Sequence, residues 1–120
     1  MIGRLIGGIL VALGMFAGSA QAESLRWQFR SFDSKVVDVK FFSSNRNHVW
    51  PSRDTVYTIK NYDVQTYNLS CISGEKICFG AWRRGNDSKY WGAGHTGKKA
   101  CSTCCYICNG TPTKLINLNE

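Results

Sequence analysis

The chain has 120 residues, with 15 Lys and Arg against 8 Asp and Glu and a formal net charge of +7. Its composition includes six cysteines and four tryptophans but only two prolines. The length predicts a single domain, and the sequence contains no internal repeat and no Pro-rich linker. It also lacks a P-loop, an H-E-x-x-H pair and a Rossmann glycine pattern, so the enzyme classes that these motifs mark are not indicated.

Residues 1–22 have the pattern of a secretory signal peptide. Arg4 precedes an uncharged, mostly apolar run at 5–18, and Ala20-Gln21-Ala22 supplies the small-x-small pattern of a signal peptidase site. This run is shorter than the roughly 20 residues that span a bilayer, so we expect cleavage rather than a retained anchor. The prediction is a periplasmic or secreted protein with one β domain at residues 23–120 and no transmembrane span. Because Arg4 is the only charged residue removed, 14 Lys and Arg remain against 8 acids, a net charge of +6.

The remaining chain alternates apolar and polar residues with the period of β-strands. This alternation is found in segments 26–32, 35–42, 54–60, 65–71, 76–82 and 113–119. Segments rich in Gly, Asn, Asp and Ser separate the strands, as turns do. The roughly ten-residue spacing predicts an all-β fold, a small disulfide-stabilised antiparallel sandwich or barrel. Within it, CISGEKIC at 71–78 indicates a tight hairpin with Cys71 opposite Cys78.

Four of the six cysteines lie in ACSTCCYICNG at 100–110, as C-x-x-C-C-x-x-C. On a helix all four thiols would share one face, whereas on a strand Cys101 and Cys105 would point one way and Cys104 and Cys108 the other. We expect either a short helix near 99–108, with Asn109-Gly110 as its end, or an extended segment.

Three hypotheses account for the cysteines. An oxidising compartment, an even number and a small domain favour three disulfides among Cys71, Cys78, Cys101, Cys104, Cys105 and Cys108. Fifteen pairings are possible, and we expect either Cys71–Cys78 or bridges from that hairpin to segment 101–108. Zinc binding is less favoured because four ligands within eight residues would strain a tetrahedral site. A redox role is less favoured because the C-x-x-C units lack a βαβ setting.

Two segments combine basic and aromatic residues. In segment 80–99 a turn at 85–87 would bring together six residues: Trp82, Arg83, Arg84, Lys89, Tyr90 and Trp91. Segment 45–54 adds His48 and Trp50. Aromatic faces beside cations can stack sugars and pair with phosphates or carboxylates, so these eight residues are the predicted binding residues. The alternative is that the tryptophans belong to the core and the cations form a solvated rim.

Four stretches of the sequence resemble a family of small exported proteobacterial proteins with a Cys-rich C-terminal segment and no assigned activity. These are FFSSNRNHVWPS, LSCISGEKICFGAW, YWGAG and CSTCCYIC, which together extend over most of residues 26–118. The resemblance implies export and adds nothing about function.

The sequence leaves an enzymatic role open but favours a non-enzymatic binding or structural module of the bacterial envelope, with no cofactor and no metal. Its basic-aromatic loops would contact an anionic glycan, a lipid head group or an acidic protein, rather than nucleic acid. The alternative is a cysteine-based metal-binding or thiol redox protein of the periplasm. A third hypothesis is a small hydrolase that uses His48 or His95.

Overall fold

The computed structural model describes residues 21–120, in which all regular structure is β. The predicted signal peptide lies outside the described residues, apart from Gln21 and Ala22. This described range contains nine strands: β1 Ala22–Ser31, β2 Val37–Ser43, β3 Val49–Trp50, β4 Tyr57–Ile59, β5 Gln65–Ile72, β6 Lys76–Arg83, β7 Asn86–Gly92, β8 Cys105–Ile107 and β9 Leu115–Leu118. The all-β prediction is confirmed.

The strands form two sheets that pack together like a sandwich and do not close into a barrel. Sheet A has three strands in the order β5-β1-β9, and β1 is antiparallel to β5 and parallel to β9. Sheet B has six strands, in which the order β3-β2-β6-β7 is extended by β4 on β2 and β8 on β6. All pairs in sheet B are antiparallel.

Alternation along the strands produces the core between the sheets. Trp27 and Phe29 of sheet A are fully buried, and so is Phe41 of sheet B. The Trp27 and Phe41 rings lie 4.8 Å apart, and those of Phe29 and Phe79 lie 5.1 Å apart. Each such aromatic pair stabilises the fold by about 1 kcal/mol beyond the area that it buries. Polar contacts also join the sheets, since Trp50 Nε1 donates a hydrogen bond to the Ser70 carbonyl at 3.0 Å.

Three disulfides, Cys71–Cys108, Cys78–Cys105 and Cys101–Cys104, leave no free cysteine in residues 21–120. The predicted hairpin with Cys71 opposite Cys78 is wrong, because β5 and β6 belong to different sheets. The turn between them passes from sheet A to sheet B, and each of its cysteines bonds to segment 101–108. The alternative pairing, which bridges residues 71–78 to that segment, is confirmed.

The expected short helix near 99–108 is also wrong, since residues 21–120 contain no helix. Cys105–Ile107 instead pairs with β6, so that Cys105 lies opposite Cys78, its disulfide partner. Of the four cysteines, Cys104 and Cys108 are buried, Cys101 is exposed, and Cys105 belongs to β8. Ladder hydrogen bonds to β6 therefore outweigh the helical spacing of the four cysteines.

Residues 21–120 include no helix of the length and apolar character that a membrane span requires.

The disulfides should differ in their contribution to stability. Cys71–Cys108 closes a separation of 37 residues, whereas Cys101–Cys104 closes a separation of 3. Chain entropy then predicts a loss of about 4 kcal/mol for Cys71→Ala with Cys108→Ala, against about 2 kcal/mol for Cys101→Ala with Cys104→Ala. Denaturant unfolding without reductant measures both values. Equal losses of unfolding free energy in the two double variants would contradict the predicted difference between the two disulfides.

Candidate functional site

The candidate site lies on the face of sheet B that points away from sheet A. On β2, Val39 and Phe41 face the core, so Asp38, Lys40 and Phe42 point outward. Opposite them on β6 lie Trp82, Gly80 and Cys78, in that order. We call this surface the outer face.

The segment 93–99 folds across the outer face. Gly80 permits this approach, because a Cβ at this position would overlap the carbonyl oxygen of Gly94. Gly97 also packs closely, since a Cβ there would lie 2.6 Å from Cδ1 of Phe42. The amide of Ala93 donates to the Phe79 carbonyl at 2.9 Å, which fixes the start of the segment to β6. We call residues 93–99 the covering loop.

A cleft of about 570 Å³ lies between the covering loop and the segment that leads from β2 into β3. Its lining includes six basic or imidazole side chains: Lys40, Arg46, His48, Arg53, His95 and Lys98. None of the described residues that line it is an Asp or Glu. We call it the basic cleft.

Three cations of the basic cleft have no carboxylate partner in the part of the chain that the structure describes. Within residues 21–120, no acidic oxygen lies within 4.0 Å of the charged nitrogens of Lys40, Arg53 or Lys98. Arg53 donates instead to the Asn47 side-chain oxygen at 2.9 Å, and Lys40 donates to the Arg53 carbonyl. Three positive charges therefore face one concave surface without compensation, an arrangement that attracts anions.

Arg46, the fourth full cation of the basic cleft, is held by a buried acid. Its Nε and a second guanidinium nitrogen donate to Glu75 at 2.5 and 3.1 Å, and the Glu75 side chain is only 2% exposed. Ser43 Oγ donates to the same carboxylate at 2.5 Å, and the Ile72 amide donates at 3.0 Å. Burial raises the pKa of Glu75, but the hydrogen bonds from Arg46, the Ile72 amide and Ser43 outweigh it and lower the pKa to about 2. Glu75 therefore fixes one wall of the cleft.

The turn that joins β6 to β7 lies at residues 84–85, slightly before the predicted 85–87, because Asn86 and Asp87 already belong to β7. Trp82 lies opposite Tyr90. The aromatic residues nevertheless separate onto two faces. Trp82 and Tyr90 share the outer face, whereas Trp91 lies opposite Ala81, packs against the core and donates from Nε1 to the Asn119 carbonyl at 2.9 Å. Lys89 lies over the Trp91 ring, with Nζ 5.2 Å from its centroid.

Both predicted arginines of this hairpin bind carboxylates. Arg83 donates to Asp33 at 2.8 Å, and the Asp33 side chain is fully buried. Burial raises the pKa of Asp33, but hydrogen bonds from Arg83 and from the Lys35 amide outweigh it, so the pKa lies below its ordinary value. Arg84 makes a bidentate pair with Asp38 at 2.8 and 3.1 Å. Both guanidinium groups are thus occupied in fixing the fold.

Of the eight predicted binding residues, only His48 lines the basic cleft. Its ring lies 4.5 Å from that of Trp50, which is 7% exposed and belongs to the core. Among the other basic side chains of the cleft, Lys40 lies on β2. Arg46 and Arg53 lie in the predicted segment 45–54, and His95 and Lys98 lie in the predicted segment 80–99. The basic character of the two segments was a usable signal, but their meeting at one cleft depends on the pairing of β2 with β6, which sequence spacing does not reveal.

The structure brings both histidines to the same cleft, yet it gives neither a nucleophile. In residues 21–120 the side chains of His48 and His95 make no hydrogen bond to a serine, threonine or cysteine. The contact of His95 is with Asp87, at 3.5 Å. Within the described residues, neither histidine of the cleft is paired with a hydroxyl or thiol, the arrangement that activates a nucleophilic side chain.

The cysteines form a cluster of sulfur atoms on the β6–β8 side. The Sγ atoms of Cys78, Cys104 and Cys105 all lie within 4.8 Å of one another, a spacing compatible with metal ligands. Each of these atoms is bonded to a partner sulfur, and a disulfide sulfur is not the thiolate that zinc or exchange chemistry requires.

Comparison of the chain with protein-family models, curated proteins and solved structures finds no match to any of them. The resemblance to small exported proteobacterial proteins therefore stays a prediction, and the function is argued from the geometry of the site.

The depressed pKa of Glu75 predicts a pH-dependent stability. A carboxyl that titrates at about 2 when folded and near 4.5 when unfolded stabilises the fold above pH 4.5, and that contribution disappears as the pH falls to about 2. Its size is about 3 kcal/mol. Glu75→Gln should therefore lower the free energy of unfolding at pH 7 and flatten its dependence on pH between 4.5 and 2. The exposed Asp63→Asn is the control. If Glu75→Gln and the unmodified protein lose stability in parallel on acidification, Glu75 lacks this role.

Proposed function

We propose that this protein is an exported, non-enzymatic binding module of the bacterial envelope that holds an anionic ligand in the basic cleft. The observation that carries the proposal is the composition of the lining: four Lys and Arg and two His, without one Asp or Glu among the described lining residues. An anion that lies about 4 Å from one such cation gains about 1 kcal/mol in bulk water and about 4 kcal/mol near a protein surface.

The distribution of acids supports the proposal. Arg46, Arg83 and Arg84 each have a carboxylate partner, so the fold neutralises its cations where they fix structure. Lys40, Arg53 and Lys98 all line the basic cleft, and within residues 21–120 they have no carboxylate partner. Keeping like charges together costs free energy, and a bound anion would recover it.

The disulfides support the proposal that the protein is exported. Three bridges in so short a chain are typical of proteins in oxidising compartments, where disulfides persist. They agree with the signal peptide that the sequence predicts at residues 1–22. In the envelope, anionic glycans, lipid head groups and acidic proteins are the available partners with complementary charge.

Charge neutralisation tests the proposal directly. The variant Lys40→Gln, Arg53→Gln, Lys98→Gln removes three cations from the basic cleft, and we expect its affinity for polyphosphate to fall at least about tenfold. The matched control is Lys35→Gln, Lys60→Gln, Lys114→Gln, which removes three exposed cations outside the cleft and should change the affinity by less than about threefold. Affinity is measured by titration at low and at physiological salt. Equal losses in the two triple variants would show attraction to net charge alone and would contradict the proposal.

The sulfur cluster favours a second candidate function, a thiol-based metal or redox protein. This function needs free thiolates, whereas the structure pairs all six cysteines. We expect the intact mass of protein isolated from its own compartment to lie six hydrogens below the all-thiol mass, because each of three disulfides removes two. Mass spectrometry with and without reductant measures the difference. A protein that carries free thiols, or one zinc ion per chain, would favour the second candidate instead.

A further inference from the structure

A second hollow adjoins the basic cleft at the tip of the β6–β7 hairpin. It has a volume of about 440 Å³ and is lined by Trp82, Gly85, Asn86, Asp87 and Ser88. The hairpin can turn this tightly because Gly85 adopts a φ of 83°, a conformation that side-chain-bearing residues rarely adopt. We call this site the hairpin hollow.

His95 links the hairpin hollow to the basic cleft. His95 lines the cleft, and its ring centre lies 6.0 Å from that of Trp82 at an interplanar angle of 66°. Its Nε2 also lies 3.5 Å from a carboxylate oxygen of Asp87. His95 therefore lines the cleft and also contacts residues of the hairpin hollow. A ligand with one ionic group in the cleft would reach the hollow if it extended past His95.

The two sites have opposite chemical character. Among the described lining residues, the cleft has cations and no acid. The hollow has an indole, an amide, a hydroxyl and the carboxylate of Asp87, with no Lys or Arg among its described residues. Arg84, which lies near the hollow in sequence, is already paired with Asp38. A second anionic group would be repelled by Asp87, so the hollow suits a neutral part of the ligand.

That neutral part must satisfy both the ring and the polar groups of the hollow. An indole face stacks against flat apolar surface, and amide, hydroxyl and carboxylate groups bond to hydroxyls. A pyranose ring presents C–H groups on one face and hydroxyls around its edge. It therefore matches Trp82 together with Asn86, Asp87 and Ser88.

We propose that the ligand is an anionic glycan, an inference that rests on the proposed function of the basic cleft. A sugar ring stacks on Trp82 in the hairpin hollow, with its hydroxyls bonded by Asn86, Asp87 and Ser88. The negative substituent of the same or the next sugar, a phosphate, sulfate or carboxylate, lies in the cleft near Lys40, Arg53 and Lys98. Charge holds the ligand, and the hollow selects a polysaccharide over other polyanions.

The test compares a sugar-containing polyanion with a sugar-free one on the full mature chain. We expect Trp82→Ala to weaken binding to dextran sulfate about tenfold and to change binding to polyphosphate by less than about twofold. Tyr90→Ala is the control, because Tyr90 lies opposite Trp82 on the outer face but does not line the hollow. Asn86→Ala with Ser88→Ala, two exposed positions at the hairpin tip, should weaken dextran sulfate binding selectively and decides the matter if Trp82→Ala does not fold.

The outcomes separate the two proposals. If neither hollow variant changes dextran sulfate binding while the cleft triple variant abolishes it, the glycan inference is overturned and the proposed function stands. If Trp82→Ala weakens both polyanions equally, Trp82 merely supports the cleft and the inference is again overturned. If the cleft triple variant binds both polyanions normally, the proposed function itself fails.

Discussion

The covalent attachment of residues 101–108 to both sheets is the constraint on which the rest of the structure depends. Cys108 bonds to Cys71 of β5 in sheet A, and Cys105 bonds to Cys78 of β6 in sheet B. Backbone hydrogen bonds reinforce both links, since the Gly74 amide donates to the Cys108 carbonyl at 2.7 Å and the Phe79 amide donates to that of Cys104 at 2.9 Å. A domain of about 100 residues buries a modest core, so these cross-links supply a large share of its stability. They also fix the chain just after the covering loop, whose position defines the basic cleft.

The ion pairs divide the cations into those that hold the fold together and those that have no acidic partner. Buried or half-buried acids receive the arginines that hold loops together: Asp33 receives Arg83, Asp38 receives Arg84 and Glu75 receives Arg46. The cations that remain without an acid in the described part of the chain include the three that converge on the cleft. Because leaving a buried carboxylate without its partner is costly, the paired cations are committed to the fold, and the unpaired ones are available to a ligand.

The alternation of residues predicted most of the architecture. Trp27 and Phe29, with polar neighbours between them, specify a strand with one buried face, and Val39 and Phe41 do the same on β2. Both errors concern residues whose conformation long-range contacts determine. The four cysteines at 101–108 have helical spacing, yet β8 forms because β6 offers a strand edge and a disulfide partner 27 residues away. The turn after Cys71 has hairpin chemistry, but its two strands pair with β1 and β2 instead of each other.

The types of residue that form the site could be predicted from the sequence, but the place where they come together could not. The sequence shows that cations and aromatic residues concentrate in segments 45–54 and 80–99, and the basic cleft draws on both. Residue types alone do not show that Arg84 meets an acid 46 residues earlier, or that Lys40, on β2, lies beside the covering loop. Those facts follow from strand register, which is a property of the whole sheet.

The most direct measurement of the central claim is a map of where a polyanion binds on the intact, disulfide-bonded protein. Amide NMR spectra of isotope-labelled protein titrated with dextran sulfate provide this map. The account predicts that the shifts concentrate in residues 40–53 and in the covering loop at 93–99, with smaller shifts at 82–88. Shifts spread evenly over all exposed lysines, or concentrated on β5 and β9 of sheet A, would contradict it.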